Sequence, residues 1–209
     1  MARKAVAGPV RDKNRTKKKL LDAVGNILKT RGFAGLKITK IAETAGVDRK
    51  LIYDYFGSTD KLIAEYLHTA DFWSNVNEKN LEVDPGDGGR QLAKHLLRKQ
   101  FRDMLGSKEL QKIILWELSE ERACLHELVE RREVGGELLF RKITDPVFGD
   151  SDVNFRAVMA VLISGVYYLS LHSNFNGTEI CGVDTADAEG QLEIEKALDR
   201  MVDWAFENR

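Results

Sequence analysis

Apolar residues recur at helical spacing over most of the chain. Leu20, Leu21, Val24, Ile27 and Leu28 form one stripe of a first helix that begins at Arg15 and that Gly32 closes. Ile41, Ala42 and Ala45 mark a second, short helix over 38–45. Gly46 follows it with the positive φ that a tight inter-helix turn needs, and Asp48 stands where it can cap a third helix over 49–55. That helix closes at Phe56 and Gly57, and Ser58 opens a fourth through about residue 68.

The densest cluster of turn residues lies at 84–89, and amphipathic stretches then run over 90–105, 108–119, 121–143, 153–174 and 188–206. Only three prolines interrupt 209 residues, and no alternating Val/Ile/Thr-rich run suggests a strand, so the expected fold class is all-α. The stretch 157–171 is apolar nearly all round. The last helix carries Ile194, Ala197, Leu198, Met201, Val202 and Ala205 along one stripe, with Trp204 and Phe206 off it. Helices with two apolar sides predict that one side meets the core and the other a second subunit, through Val161, Gly165, Tyr168, Ile194, Leu198, Met201, Val202 and Ala205.

Charge changes the picture. The formal net charge of −1 averages two unlike halves, because residues 1–61 hold 15 Lys/Arg against 6 Asp/Glu and the remainder is correspondingly acidic. A basic module joined to an acidic one points to a polyanionic partner for the first, or else to a solvated basic tail. Residues 1–14 are basic and poor in large apolar groups, which predicts a flexible arm. Cys124 and Cys181 form no paired motif and suit a reducing, cytoplasmic setting. The basic N-terminus lacks the apolar core of a signal peptide, and the 157–171 run is short for a span of roughly 20 residues, so no membrane is expected.

Catalytic chemistry finds no foothold. His68, His95, His126 and His172 are scattered, and no zinc-protease, Walker or nucleophile-elbow motif occurs. Cys124 and His126 lie two residues apart, a spacing at which helical side chains do not face each other, so no metal is expected there. The chain is read as a non-enzyme without a cofactor.

The segment 38–56 has the layout of a helix-turn-helix: short helix, glycine turn, second helix. A helix that enters the major groove needs exposed cationic and polar groups near its N-terminus, and Arg49 and Lys50 hold that position. Tyr53 and Tyr55 bring hydroxyls within reach of phosphates, while Val47, Ile52 and Phe56 are suited to holding the two helices together. The alternative is a helical interaction module that uses the same motif for nonspecific DNA or protein contacts.

Residues 15–67 resemble the DNA-binding domain of the tetracycline-repressor (TetR/AcrR) family. Gly32-Phe33, Ile41-Ala42, Ala45-Gly46-Val47, Ile52-Tyr53, Phe56, and Ser58 leading to Leu62 carry the resemblance. Lys37 stands where the family often has a capping threonine, Asp48 where it has Ser or Thr, and Thr59 where it has a lysine, with Lys61 two residues on. The resemblance implies DNA contacts through Lys37, Thr39, Lys40, Asp48, Thr59 and Lys61 as well. It further implies a homodimeric repressor on a pseudo-palindromic double-stranded operator, released by a small-molecule effector. The expected division is a basic arm over 1–14, a three-helix DNA-binding domain over 15–60 and a larger helical effector-binding and dimerisation domain over 61–209. Within the last, Trp116, Glu117, Tyr167, Tyr168 and His172 are the candidate effector-pocket residues.

Overall fold

The computed structural model describes residues 9–71, 73, 86–175 and 177–209. The chain is helical nearly throughout: α1 (Pro9–Arg31), a 3₁₀ turn (Phe33–Gly35), α2 (Ile38–Ala45), α3 (Lys50–Phe56), α4 (Thr59–Ala70), α5 (Arg90–Gly106), α6 (Lys108–Ser119) and α7 (Ala123–Leu139). A π-helical turn (Phe140–Thr144) leads into the short α8 (Asp145–Phe148), followed by α9 (Phe155–Phe175), a hairpin of β1 (Glu179–Ile180) and β2 (Val183–Asp184), and α10 (Ala188–Glu207).

Three of these features depart from the periodicity reading. First, α1 starts at Pro9, so the last residues of the expected flexible arm are helical. Proline is well placed at the first position of a helix, where its missing N–H has no partner to lose, and Lys and Arg propagate a helix well. The rest of the arm, with Arg3 and Lys4, lies outside the described residues. Second, the 121–143 stretch is not one α-helix. Pro146 lacks the N–H that would continue the ladder onto Lys142, and the chain passes through a wider turn before α8. Third, the two-residue strands of the hairpin are too short to produce alternation; positive φ at Cys181 and Gly182 makes the turn between them.

Two apolar cores hold the molecule. The first joins Leu20, Val24 and Leu28 of α1 to Ile41 of α2, Ile52 and Phe56 of α3 and Leu62, Ile63 and Leu67 of α4. It does not end at residue 60: α4 belongs to it throughout, and Ile113 and Trp116 of α6 and Leu125 and Leu128 of α7 complete it. The second core lies between α5, α9 and α10, with Phe101, Val166 and Val202 fully buried and Phe148, Phe155 and Phe206 in mutual ring contact. α9 is 21 residues long and apolar enough to cross a bilayer by length and composition, yet Phe155, Met159, Leu162 and Val166 form one wall of this core.

The fit between α1 and α4 is tight at one point. A Cβ at Gly25 would fall 2.6 Å from the Tyr66 hydroxyl and 2.9 Å from its ring. Alanine there gains about 1 kcal/mol of helix propensity but overpacks the interface, at a cost of about 1 to 3 kcal/mol. Urea denaturation is therefore expected to find Gly25→Ala less stable than the parent, and Tyr66→Phe, which removes the nearest atom, to recover part of the loss in the double variant.

Candidate nucleic-acid interface and interior cavity

α3 is fixed from beneath and capped at both ends. Ile52 and Phe56 are buried in the first core, the Asp48 carboxylate accepts the Lys50 backbone N–H at 2.7 Å, and Gly57 closes the helix at φ 80. Gly46, at φ 64, turns the chain between α2 and α3 in the left-handed region. What remains outward on α3 and before it is Asp48, Arg49, Lys50, Tyr53 and Asp54, the tyrosine 54% exposed. No side chain caps α2, so its first-turn amides are not occupied from within, and exposed Lys37 and Thr39 flank them. Lys40 is partly engaged by Glu43 at 3.2 Å.

Two further placements differ from the expectation. Tyr55 is half-buried against the core and lies under the Lys13 ammonium, 5.4 Å from the ring centre, rather than standing free beside α3. Thr59 is half-buried in the first turn of α4, while the exposed Lys61 donates its backbone N–H to the Ser58 hydroxyl at 3.1 Å. Lys17 of α1 reaches over the Phe56 ring at 4.9 Å. The basic N-terminal half of α1 is thereby brought alongside α3, a juxtaposition that counting charges along the chain does not reveal.

Between α5, α7, the π-turn and α9 lies a cavity of about 230 Å³. Leu96, Phe140, Met159 and Ile163 give it a largely apolar wall, and its charged groups gather where α6 and α7 meet. There Arg132, nearly buried, donates to Asp71 at 2.9 and 2.8 Å and to Glu117 at 2.6 Å. Burial opposes the guanidinium's charge, but the hydrogen bond and field of Asp71, with that of Glu117, leave it more firmly protonated than usual. Burial likewise pushes the Tyr167 hydroxyl up. Trp73 donates to Gln100 at 2.5 Å on the same cavity wall. Asp71 is the C-cap of α4, so the Arg132 side chain touches both the cavity and the end of α4.

Of the five residues expected in a pocket, Glu117 and Tyr167 line this one. Trp116 does not. It is fully buried in the first core, its ring stacked on Phe33 at 5.6 Å, because α6 turns that face toward α1. Tyr168 and His172 are no lining residues either: Tyr168 is 63% exposed and its ring stacks on that of His172. Arg132, Gln100 and Thr144 were missed. Arg132 sits in the charged run Glu130–Glu133, where nothing distinguishes it from its solvated neighbours.

The expected subunit interface is also redistributed. Leu198, Val202 and Ala205 face the second core of their own chain, with Ile194 packed against it. The outward apolar face consists of Val161 and Tyr168 of α9 with Met201 and Trp204 of α10, all exposed, and Gly165 lies half-buried among the α9 residues. The misassignment comes from α10, whose inward and outward apolar rows are neighbours on the helix surface and read as one stripe. Among the described residues no cluster of His, Cys, Asp or Glu is arranged to hold a metal ion. Cys124 is buried, and burial raises its thiol pKa; His126 is exposed.

Comparison with known proteins bears on this arrangement. Residues 18–66 match the family described as bacterial regulatory proteins, tetR family. The fold of the whole chain is similar to that of the fatty acid degradation regulator FadR from Bacillus halodurans, with a TM-score of 0.64 and 15% identity over 98% of this chain and 100% of that one. A transcriptional regulator from Rhodococcus sp. Rha1 has a TM-score of 0.52 and 16% identity, with 91% and 96% of the two chains covered. No curated protein matches in sequence. The matched segment holds the whole helix-turn-helix, so residues 18–66 carry the domain that defines the tetR family of bacterial regulatory proteins.

Proposed function

We propose that the chain is a cytoplasmic, non-enzymatic repressor that binds a pseudo-palindromic operator as a homodimer and leaves it when a small molecule occupies the interior cavity. The observation that carries the DNA-binding part is the exposed group of Arg49, Lys50 and Tyr53 on a helix held from below, with Lys13 and Lys17 of α1 beside it. Cationic side chains at the start of a groove-entering helix read base edges, while flanking ones hold the phosphates. Lys37, Thr39, Lys40, Asp48, Tyr55, Thr59 and Lys61 are assigned supporting contacts or placement of the backbone. The cavity supports effector release because Arg132 meets the C-cap of α4 there.

The dimer reading rests on the face formed by Ala157, Val158, Val161, Met201 and Trp204, an apolar groove on the outside of a protomer. Isologous pairing of α9 and α10 from two copies would cover it. It also accounts for an α9 that is apolar beyond what its own core requires, without a membrane.

Selection of bound duplexes from a random pool tests the central reading and supplies the operator; recovery of no enriched sequence would refute it. On the selected site, Lys50→Ala is expected to weaken binding by about 1 to 3 kcal/mol and Tyr53→Phe by less, with circular dichroism unchanged. Replacing Lys13 and Lys17 by Gln should flatten the slope of log affinity against log salt by about 0.9 for each phosphate no longer neutralised. An unaltered slope would place both lysines in solvent.

Sedimentation equilibrium at micromolar concentration is expected to give twice 23.6 kDa for the parent chain. Val161→Glu and Met201→Glu should yield folded monomers, because both side chains are outward. Val202→Glu should instead lose the fold itself, since Val202 is fully buried in its own protomer. A parent chain that sediments as a monomer overturns the interface.

A further inference from the structure

We propose that the ligand of the interior cavity is a hydrophobic cation, an alkyl amine or quaternary ammonium whose charged end lies by Glu117 and Glu133 and whose apolar body fills the space toward Phe140 and Met159. The proposal rests on the cavity being the effector site. Its first support is a charge count. Among the described lining residues the charged groups are Glu117, Arg132 and Glu133. Arg132 is already engaged by two carboxylates, Glu117 and the buried Asp71, through Nε and both terminal nitrogens. Glu133, at the rim, has no ion pair with a described residue. One guanidinium therefore faces three carboxylates, and an incoming anion would have to displace a paired carboxylate to reach it. A cation meets an unbalanced negative field and two aromatic residues, Trp73 and Tyr167, on the cavity wall.

The second support is independent of charge. Thr144, at the π-turn end, is only 7% exposed and lines the cavity, yet its hydroxyl has no hydrogen-bond partner among the described residues. A buried hydroxyl without a partner is costly, and a guest that carries an oxygen at the far end of its apolar body, rather than a bare alkyl chain, would supply one.

Calorimetry with the full chain separates the possibilities, using decyltrimethylammonium, decanol and decanoate below their micelle-forming concentrations. The cation is expected to bind about tenfold or more tightly than the alcohol, and decanoate most weakly. Glu133→Gln breaks no ion pair, so it preserves the fold; it should narrow the preference for the cation while leaving decanol affinity unchanged, and Glu117→Gln with Glu133→Gln should abolish the preference. Decanoate binding as tightly as the cation, or a preference unmoved by both substitutions, overturns the ligand class. If the cation is not preferred but decanol or decanoate binds, releases the selected DNA, and is blocked by the cavity-filling Leu96→Trp, the effector-site reading stands while the cation falls. If none of the three probes binds, both fall.

Discussion

A helix of seven residues does not hold its shape alone in water. α3 is such a helix, and it must nevertheless present Arg49, Lys50 and Tyr53 in a fixed array. The structure meets this constraint by setting Ile52 and Phe56 into a core shared with the surrounding helices. Because Trp116, Leu125 and Leu128 belong to that same core, α6 and α7 are part of the foundation under α3 rather than a separate body beside it. Displacement of α7 is consequently felt where α3 rests.

Polar contacts across the same boundary differ greatly in weight. Arg122 with Asp60 at 2.6 Å and Lys29 with Glu109 at 2.7 Å are partly solvated and of the kind that typically contributes about 0 to 1 kcal/mol. The Arg132 cluster is different in kind, for Asp71 is 4% exposed, and removing one member of a buried ion pair typically costs about 3 to 5 kcal/mol. Energy of that size at the wall of a cavity is sufficient to bias the position of α4 strongly if a guest alters the pairing, since each 1.4 kcal/mol is about a factor of ten in population.

The amphipathic periods of α2, α5 and α6 were legible nearly to the residue, because each has one apolar side and a clear stop. So was α3, where Gly46, Asp48 and Gly57 punctuate the chain chemically. Periodicity failed where two apolar rows adjoin: on α10 it merged Met201, which is outward, with Leu198 and Val202, which are inward. It failed again where direction matters more than type, sending Trp116 to a pocket when α6 points it at Phe33. The polar end of the cavity was illegible for a third reason. Asp71 and Arg132 are 61 positions apart, and no local pattern couples them.

The π-turn at Phe140–Thr144 has a genetic consequence. Such a turn carries one residue more than the α-helix it interrupts. A single-codon deletion within it would let the helix close regularly, and because the turn holds that residue as a surplus, the chain downstream would keep its direction relative to α7 while the residues of the turn itself changed place. Phe140, Ile143 and Thr144, which line the cavity from this turn, would be re-ordered on its wall while Arg132, upstream, kept its place. One in-frame deletion would thus re-line the apolar end of the chamber and spare the charged end, a route by which a lineage can change what the chamber accepts without disturbing its link to α4.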